Sequence, residues 1–203
     1  MMKIILSLLF LTGLLQMTYG QDAANTELRF RGGAVLGLNA CQVDGDDYAG
    51  YHKLGFNGGF LAEIPVAKKF FVSMEILYSQ KGAKSRTYQG IPTEYQANLN
   101  YAEIPVLFNF QEKSAVNFGL GASYGRLVKY KEFRDELQQP PTDDFNRDDI
   151  CGIANGNYLI SDHFHLNIRF AYSIVPFGHR DTSNFNKRGM YNNVLSFRFA
   201  YVL

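Results

Sequence analysis

FHLNIRFAYS, Phe164 to Ser173, holds two patterns in one stretch. Phe164, Leu166, Ile168, Phe170 and Tyr172 are large and apolar, whereas His165, Asn167, Arg169, Ala171 and Ser173 are polar or small. A period of two belongs to a β-strand whose faces meet different surroundings. What each face meets decides the fold. The same large rows recur in Val72, Met74, Ile76 and Tyr78, in Val116, Phe118, Leu120 and Tyr124, and in Leu195, Phe197, Phe199, Tyr201 and Leu203. Opposite one of them lie Asn117, Gly119, Gly121 and Ser123. The interior of an eight-stranded barrel is only just wide enough for side chains to fill. The large rows together would overfill it, and the small polar rows fit. The apolar rows are therefore expected to face lipid. A soluble lipocalin-like barrel, with its apolar row inward, is the arrangement this volume argument disfavours.

Aromatic spacing points the same way. Phe70 and Tyr78 stand eight residues apart on one row, as do Phe164 and Tyr172. At ~3.3 Å rise and ~40° tilt, eight residues climb roughly 20 Å, close to the ~25 Å apolar band of membrane barrels. Each pair is expected to place one ring at each membrane interface.

Alternation predicts eight strands, at about 27–41, 53–65, 70–81, 95–110, 115–128, 149–160, 164–174 and 191–203. Long connectors such as QVDGDDYAGYH and KYKEFRDELQQPPTDDFNRD alternate with the short VAKK, QEKS and SDH. That is the signature of a meander whose two ends face different compartments, with short periplasmic turns and long outer loops. The expected class is all-β: an eight-stranded antiparallel up-and-down transmembrane β-barrel in the outer membrane, both termini periplasmic.

The first residues, MMKIILSLLFLTGLLQMTYG, have the layout of a secretory signal peptide over 1–20, with an apolar run from Ile4 to Leu15 too short to span a bilayer. Cleavage after Gly20 would leave Gln21 first, and the absence of a following Cys argues against a lipid anchor. Residues 21–203 then form one barrel domain. Removing Lys3 takes the formal charge from +1 to zero, which gives no footprint for nucleic acid.

In YAEIPVLFNF, Tyr101 to Phe110, a carboxylate and a proline interrupt an apolar strand. If Ala102, Ile104, Val106 and Phe108 face lipid, Glu103 faces the lumen and needs a partner there, because a lone buried charge is costly. Glu75, Arg169 and Arg198 share its inward parity, and counting residues from the nearest turn or chain end places all four at one level. An internal Glu75, Glu103, Arg169, Arg198 cluster that plugs the lumen is expected. Pro105 suggests a local bulge or an irregular ladder near the periplasmic half of strand four. Pro65, in the other copy of AEIPV, suggests the end of strand two.

No catalytic, cofactor or metal site is expected. Asp44, Asp46 and Asp47 resemble a calcium loop in composition, but an EF-hand register would need Gly at 49 and Glu at 55, where Ala49 and Gly55 stand. Asp143, Asp144, Asp148 and Asp149 read as a solvated acidic run. His163 and His165 lie beside a short turn, the wrong end for a lipid-modifying enzyme, and His179 with Asp181 and Ser183 is a weak local grouping. Cys41 and Cys151 share inward parity near the long-loop ends of non-neighbouring strands. A disulfide across the lumen and two free buried thiols are the two arrangements open to them.

GLNACQVDGDDYAGYHKLGFNGG (37–59), MEILYSQKGAK (74–84), LNYAEIPVLFNF (99–110) and FGLGASYGRLV (118–128), in that order, resemble the PorT-like outer-membrane β-barrel family of Bacteroidota over essentially the whole mature chain. The resemblance implies an integral outer-membrane barrel, a link to type IX protein secretion through the family's namesake, and no catalytic residues. The chain departs from such barrels in ending Tyr201-Val202-Leu203 rather than on an aromatic. Leu203 is expected to serve the barrel-assembly machinery as terminal apolar residue. The partners expected are outer-membrane lipid, that machinery during insertion, and an unidentified protein at the long loops. A non-enzymatic accessory or scaffold barrel is the first functional expectation, a narrow channel or ligand-binding barrel the second, and a lipid-modifying enzyme the third.

Overall fold

Alternating residues form strands where the pattern places them, and the strands run on beyond it. In a computed structural model the chain is described over residues 29–46, 50–86, 94–135, 137–139, 146–182 and 186–203, with the side chains of 113, 179–182 and 186–188 outside the description. The strands are β1 (Arg31–Asp44), β2 (Lys53–Ala67), β3 (Phe70–Lys84), β4 (Tyr95–Lys113), β5 (Val116–Arg134), β6 (Leu137–Gln138), β7 (Asp148–Leu159), β8 (Phe164–Ser173), β9 (Gly178–Thr182) and β10 (Asn186–Val202). Eight of them form the wall, each antiparallel to its neighbours, and β1 pairs with β10 to close it. The short β6 and β9 are additions at the long-loop end, paired to β5 and β10.

Closure fixes the geometry. Starting at Arg31, the register runs through Glu63, Ser73, Leu107, Gly121, Ile153, Ala171 and Val194 and returns to β1 at Cys41, ten residues from its origin. A stagger of that size around eight strands tilts them by roughly 40°. It also lifts residues that look level along the sequence to different heights.

The wall is inside out relative to a water-soluble protein. Phe60, Leu120 and Phe199 are 73%, 69% and 62% exposed, while Asn39, Asn167, Arg198 and Lys81 are buried. At the short-turn end Phe70 stacks on Phe108 and packs against Phe110, and Phe164 packs on Tyr201. At the other end Tyr78, Tyr124 and Tyr172 stand exposed. Phe70 and Tyr78 on β3, and Phe164 and Tyr172 on β8, thus bracket the apolar belt.

On the wall formed by β3, β4 and β5 the belt stops abruptly. Outward residues are apolar up to the Ile104–Tyr124 pair, the next pair is Ala102–Arg126, and Asn100–Lys129 and Asn98–Lys131 follow. A bulge opposite Asn100 and Tyr101 inserts Val128 and switches parity, so beyond it Tyr130 and Glu132 turn inward. Of the two arrangements expected at Pro105, the structure shows the irregular ladder and not the bulge. Pro105 interrupts pairing with β3 between Val106 and Glu103 with the register unchanged, because it has no N–H to give. Pro65 does not end β2 either; it opens a bulge, and the strand continues to Ala67.

Candidate functional site

The lumen is packed in layers. Nearer the short turns, Glu75 accepts two forked guanidinium groups. Arg169 Nη2 and Nη1 lie 2.7 and 3.0 Å from its Oε1 and Oε2, and Arg198 Nη1 and Nη2 lie 2.9 and 3.3 Å from Oε2 and Oε1. All three side chains are buried. Arg198 Nε donates to Asn167 Oδ1 at 2.7 Å, and amides continue the chain, Asn167 to Asn157 at 2.6 Å and Asn157 to Asn117 at 2.5 Å. Such a fork fixes a carboxylate in angle as well as distance.

Six residues further along the same face of β3, Lys81 sits between Glu103, with which it makes a close ion pair, and Asp149 Oδ2 at 3.0 Å. Asp149 also accepts from Ser173 Oγ at 2.6 Å and Asn192 Nδ2 at 2.9 Å. The ring of Tyr101 lies 5.0 Å from the ammonium. The first layer holds two cations and one carboxylate, the second one cation and two carboxylates. Together they balance, which makes burial of six charges tolerable.

Apolar packing separates and covers these layers. Cys41, Leu107, Cys151, Ile153, Ala171 and Val194 pack between the walls. At the long-loop end Val43, Ala83, Tyr95, Ala97, Leu99, Tyr101, Phe177 and Met190 form a cap. Phe177 comes from the β8–β9 connector. Its N–H donates to Met190 O at 3.0 Å and its carbonyl accepts from Asn146 at 2.7 Å, which holds the ring over the bore. Toward the short turns there is a polar cavity of about 20 Å³, lined by Glu75, Arg198, Asn155 and His165, the size of one water. Beyond it a mouth of about 300 Å³ is lined by Arg29, Arg31, Glu63 and Lys68, with Arg31 Nη2 2.5 Å from Glu63 Oε2.

Three of the four residues expected to cluster, Glu75, Arg169 and Arg198, meet. Glu103 does not join them; the tilt of the strands raises it to the level of Lys81 and Asp149. Counting from turns missed that displacement. Lys81 was legible by parity with Glu75, whereas Asp149 was hidden in an acidic run. That run is not uniformly solvated: Asp149 is fully buried and Asp148 accepts from Arg126 Nη1 at 2.6 Å and Tyr124 at 2.7 Å. Asp143 and Asp144 lie outside the described residues.

Cys41 and Cys151 are free, buried thiols rather than a disulfide. Cys41 Sγ points to Gln80 O at 3.6 Å, and Cys151 Sγ lies 3.5 Å from Lys81 Nζ and 3.9 Å from Ser173 Oγ. Cys151 Sγ also lies 3.4 Å from Asp149 Oδ2, so each thiol is engaged by polar groups. A thiol beside a lysine and an aspartate has the makings of a nucleophile, but Cys151 is buried between the cap and the Glu75 layer. Asp44 accepts from Gln42 and Asn193, and no group of metal-ligating side chains occurs among the described residues. His163 Nδ1 is spent on Val202 O at 2.8 Å, His165 is buried below the Glu75 layer, and the side chains of His179 and Asp181, with Ser183, lie outside the description.

A barrel with an apolar exterior, a polar bore and alternating short and long connections is the architecture of outer-membrane proteins. The family model described as outer membrane protein beta-barrel domain matches residues 19–177. The chain belongs to that family. It is an integral, multi-pass protein of the outer membrane. Ail, the attachment invasion locus protein of Yersinia pestis, overlays at TM-score 0.52 with 12% identity, covering 85% of this chain and 98% of its own. The same protein in complex with the heparin analogue sucrose octasulfate gives 0.51 and 12%, over 86% and 99%. Neisserial surface protein A gives 0.46 and 14%, over 85% and 96%. At such identities the Ail likeness speaks to fold alone. Among curated proteins no sequence relative matches.

Proposed function

We propose that this outer-membrane barrel is a non-enzymatic accessory or scaffold protein that works through its long loops, with its bore closed to transport. The observation behind this reading is the stack of two ionic layers and an apolar cap across the bore, with a cavity the size of one water beside the Glu75 layer. The order of connectors supports an orientation with both termini periplasmic and the loops outside. The sequence resemblance to the PorT-like family supports a place in type IX protein secretion.

Planar-bilayer recording tests the closed bore: the reading expects no stable unitary conductance, and a reproducible one would replace it with the narrow-channel reading. Comparing the secretome and surface proteome of a deletion strain with its parent tests the secretion role, which expects cargo lost from the medium or surface. Unchanged lipid profiles on overexpression are expected of a barrel that is not a lipid-modifying enzyme.

A further inference from the structure

We propose that the outward face of β5 just beyond the apolar belt, with the adjoining amides of β4, binds the phosphorylated saccharide headgroup of a glycolipid in the outer leaflet. The proposal rests on the orientation given above, in which the long-loop end faces outward.

Where the belt ends at Tyr124, Arg126 is already neutralised by Asp148. Lys84 is paired with Glu94 and Arg134 with Glu132. Lys129 and Lys131 have no acidic partner among the described residues, and both stand on the outward face at this height. They lie two residues apart on the same face, hence roughly 7 Å apart along the strand. That spacing lets one phosphate bridge them or two phosphates take one each. Beside them across the ladder stand Asn100 and Asn98, whose half-buried amides offer donors and acceptors to sugar hydroxyls.

The occupant follows from continuity with the lipid-facing wall. The bulge that inserts Val128 leaves both Val128 and Lys129 exposed side by side. One position meets an acyl chain and the next meets the headgroup that the chain bears. A soluble partner would gain nothing from Val128 at the rim of the bilayer, whereas a lipid touches both. Attraction between lysines near a membrane surface and anionic headgroups supplies the affinity.

The experiment uses the folded protein in phosphatidylcholine nanodiscs doped with bisphosphorylated lipid A or with the same lipid A after phosphatase treatment, and counts retained lipid by native mass spectrometry. Wild type is expected to retain the phosphorylated form preferentially, and Lys129→Gln and Lys131→Gln to weaken retention by roughly fivefold each, the scale of a surface charge pair. Lys68→Gln with Lys69→Gln, at the opposite mouth, should leave it unchanged. Equal retention of the two lipids, equal retention by wild type and the Lys129/Lys131 variant, or equal loss in the Lys68/Lys69 variant would overturn the proposal. Folding is checked by heat-dependent gel mobility; if the double variant does not fold, Lys131→Gln alone, beyond the belt, gives the reading. Nanodiscs expose both ends of the barrel, so the lipid preference is measured independently of orientation, which surface labelling of loop cysteines on whole cells decides separately.

Discussion

At Glu75 one carboxylate accepts four hydrogen bonds from two guanidinium groups in a space sealed from bulk water. Removing it leaves two buried cations facing each other, and breaking a buried pair by deleting one partner costs about 3–5 kcal/mol. Glu75→Gln should therefore lower the urea midpoint of the detergent-folded protein by that amount, read as conversion between compact and extended gel bands. Replacing Arg169 and Arg198 by Met in the same background should restore much of the loss, since no unpaired charge is then left in the layer. A variant as stable as wild type would mean that water reaches the triad. The thiols give a second prediction at this scale: Cys41 and Cys151 should resist maleimide in the folded protein and react after boiling in SDS, and rapid labelling without heat would show the bore to be open. Parity in the sequence was enough to turn Glu75, Glu103, Arg169 and Arg198 inward. It could not pair them, because pairing depends on the ten-residue stagger, which is a property of the closed ring and not of any strand.

Within elements, the belt-spanning parts of the strands were legible and their outer ends were not. Between lipid and bore a strand must alternate strictly, so the rows of β3, β5, β8 and β10 announced themselves. Past the membrane that pressure ends. β5 continues to Arg134 and β10 begins at Asn186, the Val128 bulge reverses parity, and β6 and β9 pair inside what reads as loop. Gly82 marks where the change of regime starts on β3. Its φ of +129° is a conformation that side chains rarely adopt, and a Cβ there would come within 2.0 Å of Ala97 O. Its neighbours both face inward, Lys81 in the ionic layer and Ala83 in the cap. Gly82→Ala should cost roughly 1–3 kcal/mol by the same unfolding assay, since the strain lies in the backbone itself. A neutral effect would show that the β3–β4 ladder relaxes at this point.

For the whole molecule the decisive quantity is the mismatch between its outer wall and water. A closed ring has no strand edge to satisfy, so the apolar belt is held flat against its surroundings and cannot be hidden by refolding one strand. The barrel should accordingly stay in solution only with detergent or lipid, and migrate differently on gels when loaded cold and when boiled. Solubility without detergent together with unchanged mobility would invert the assignment of faces. The bore adds a further expectation, because its seals lie in series: the Phe177 cap, the Lys81 layer and the Glu75 layer each block the same path. Opening one leaves the others, so Phe177→Ala should lose roughly 3–5 kcal/mol of stability from the cavity it creates and still pass no current in a planar bilayer. Conductance is expected only when the cap and both ionic layers are truncated together. If Phe177→Ala alone conducts, the ionic layers are not closed around their partners, and the barrel is a gated pore with the β8–β9 connector as its gate.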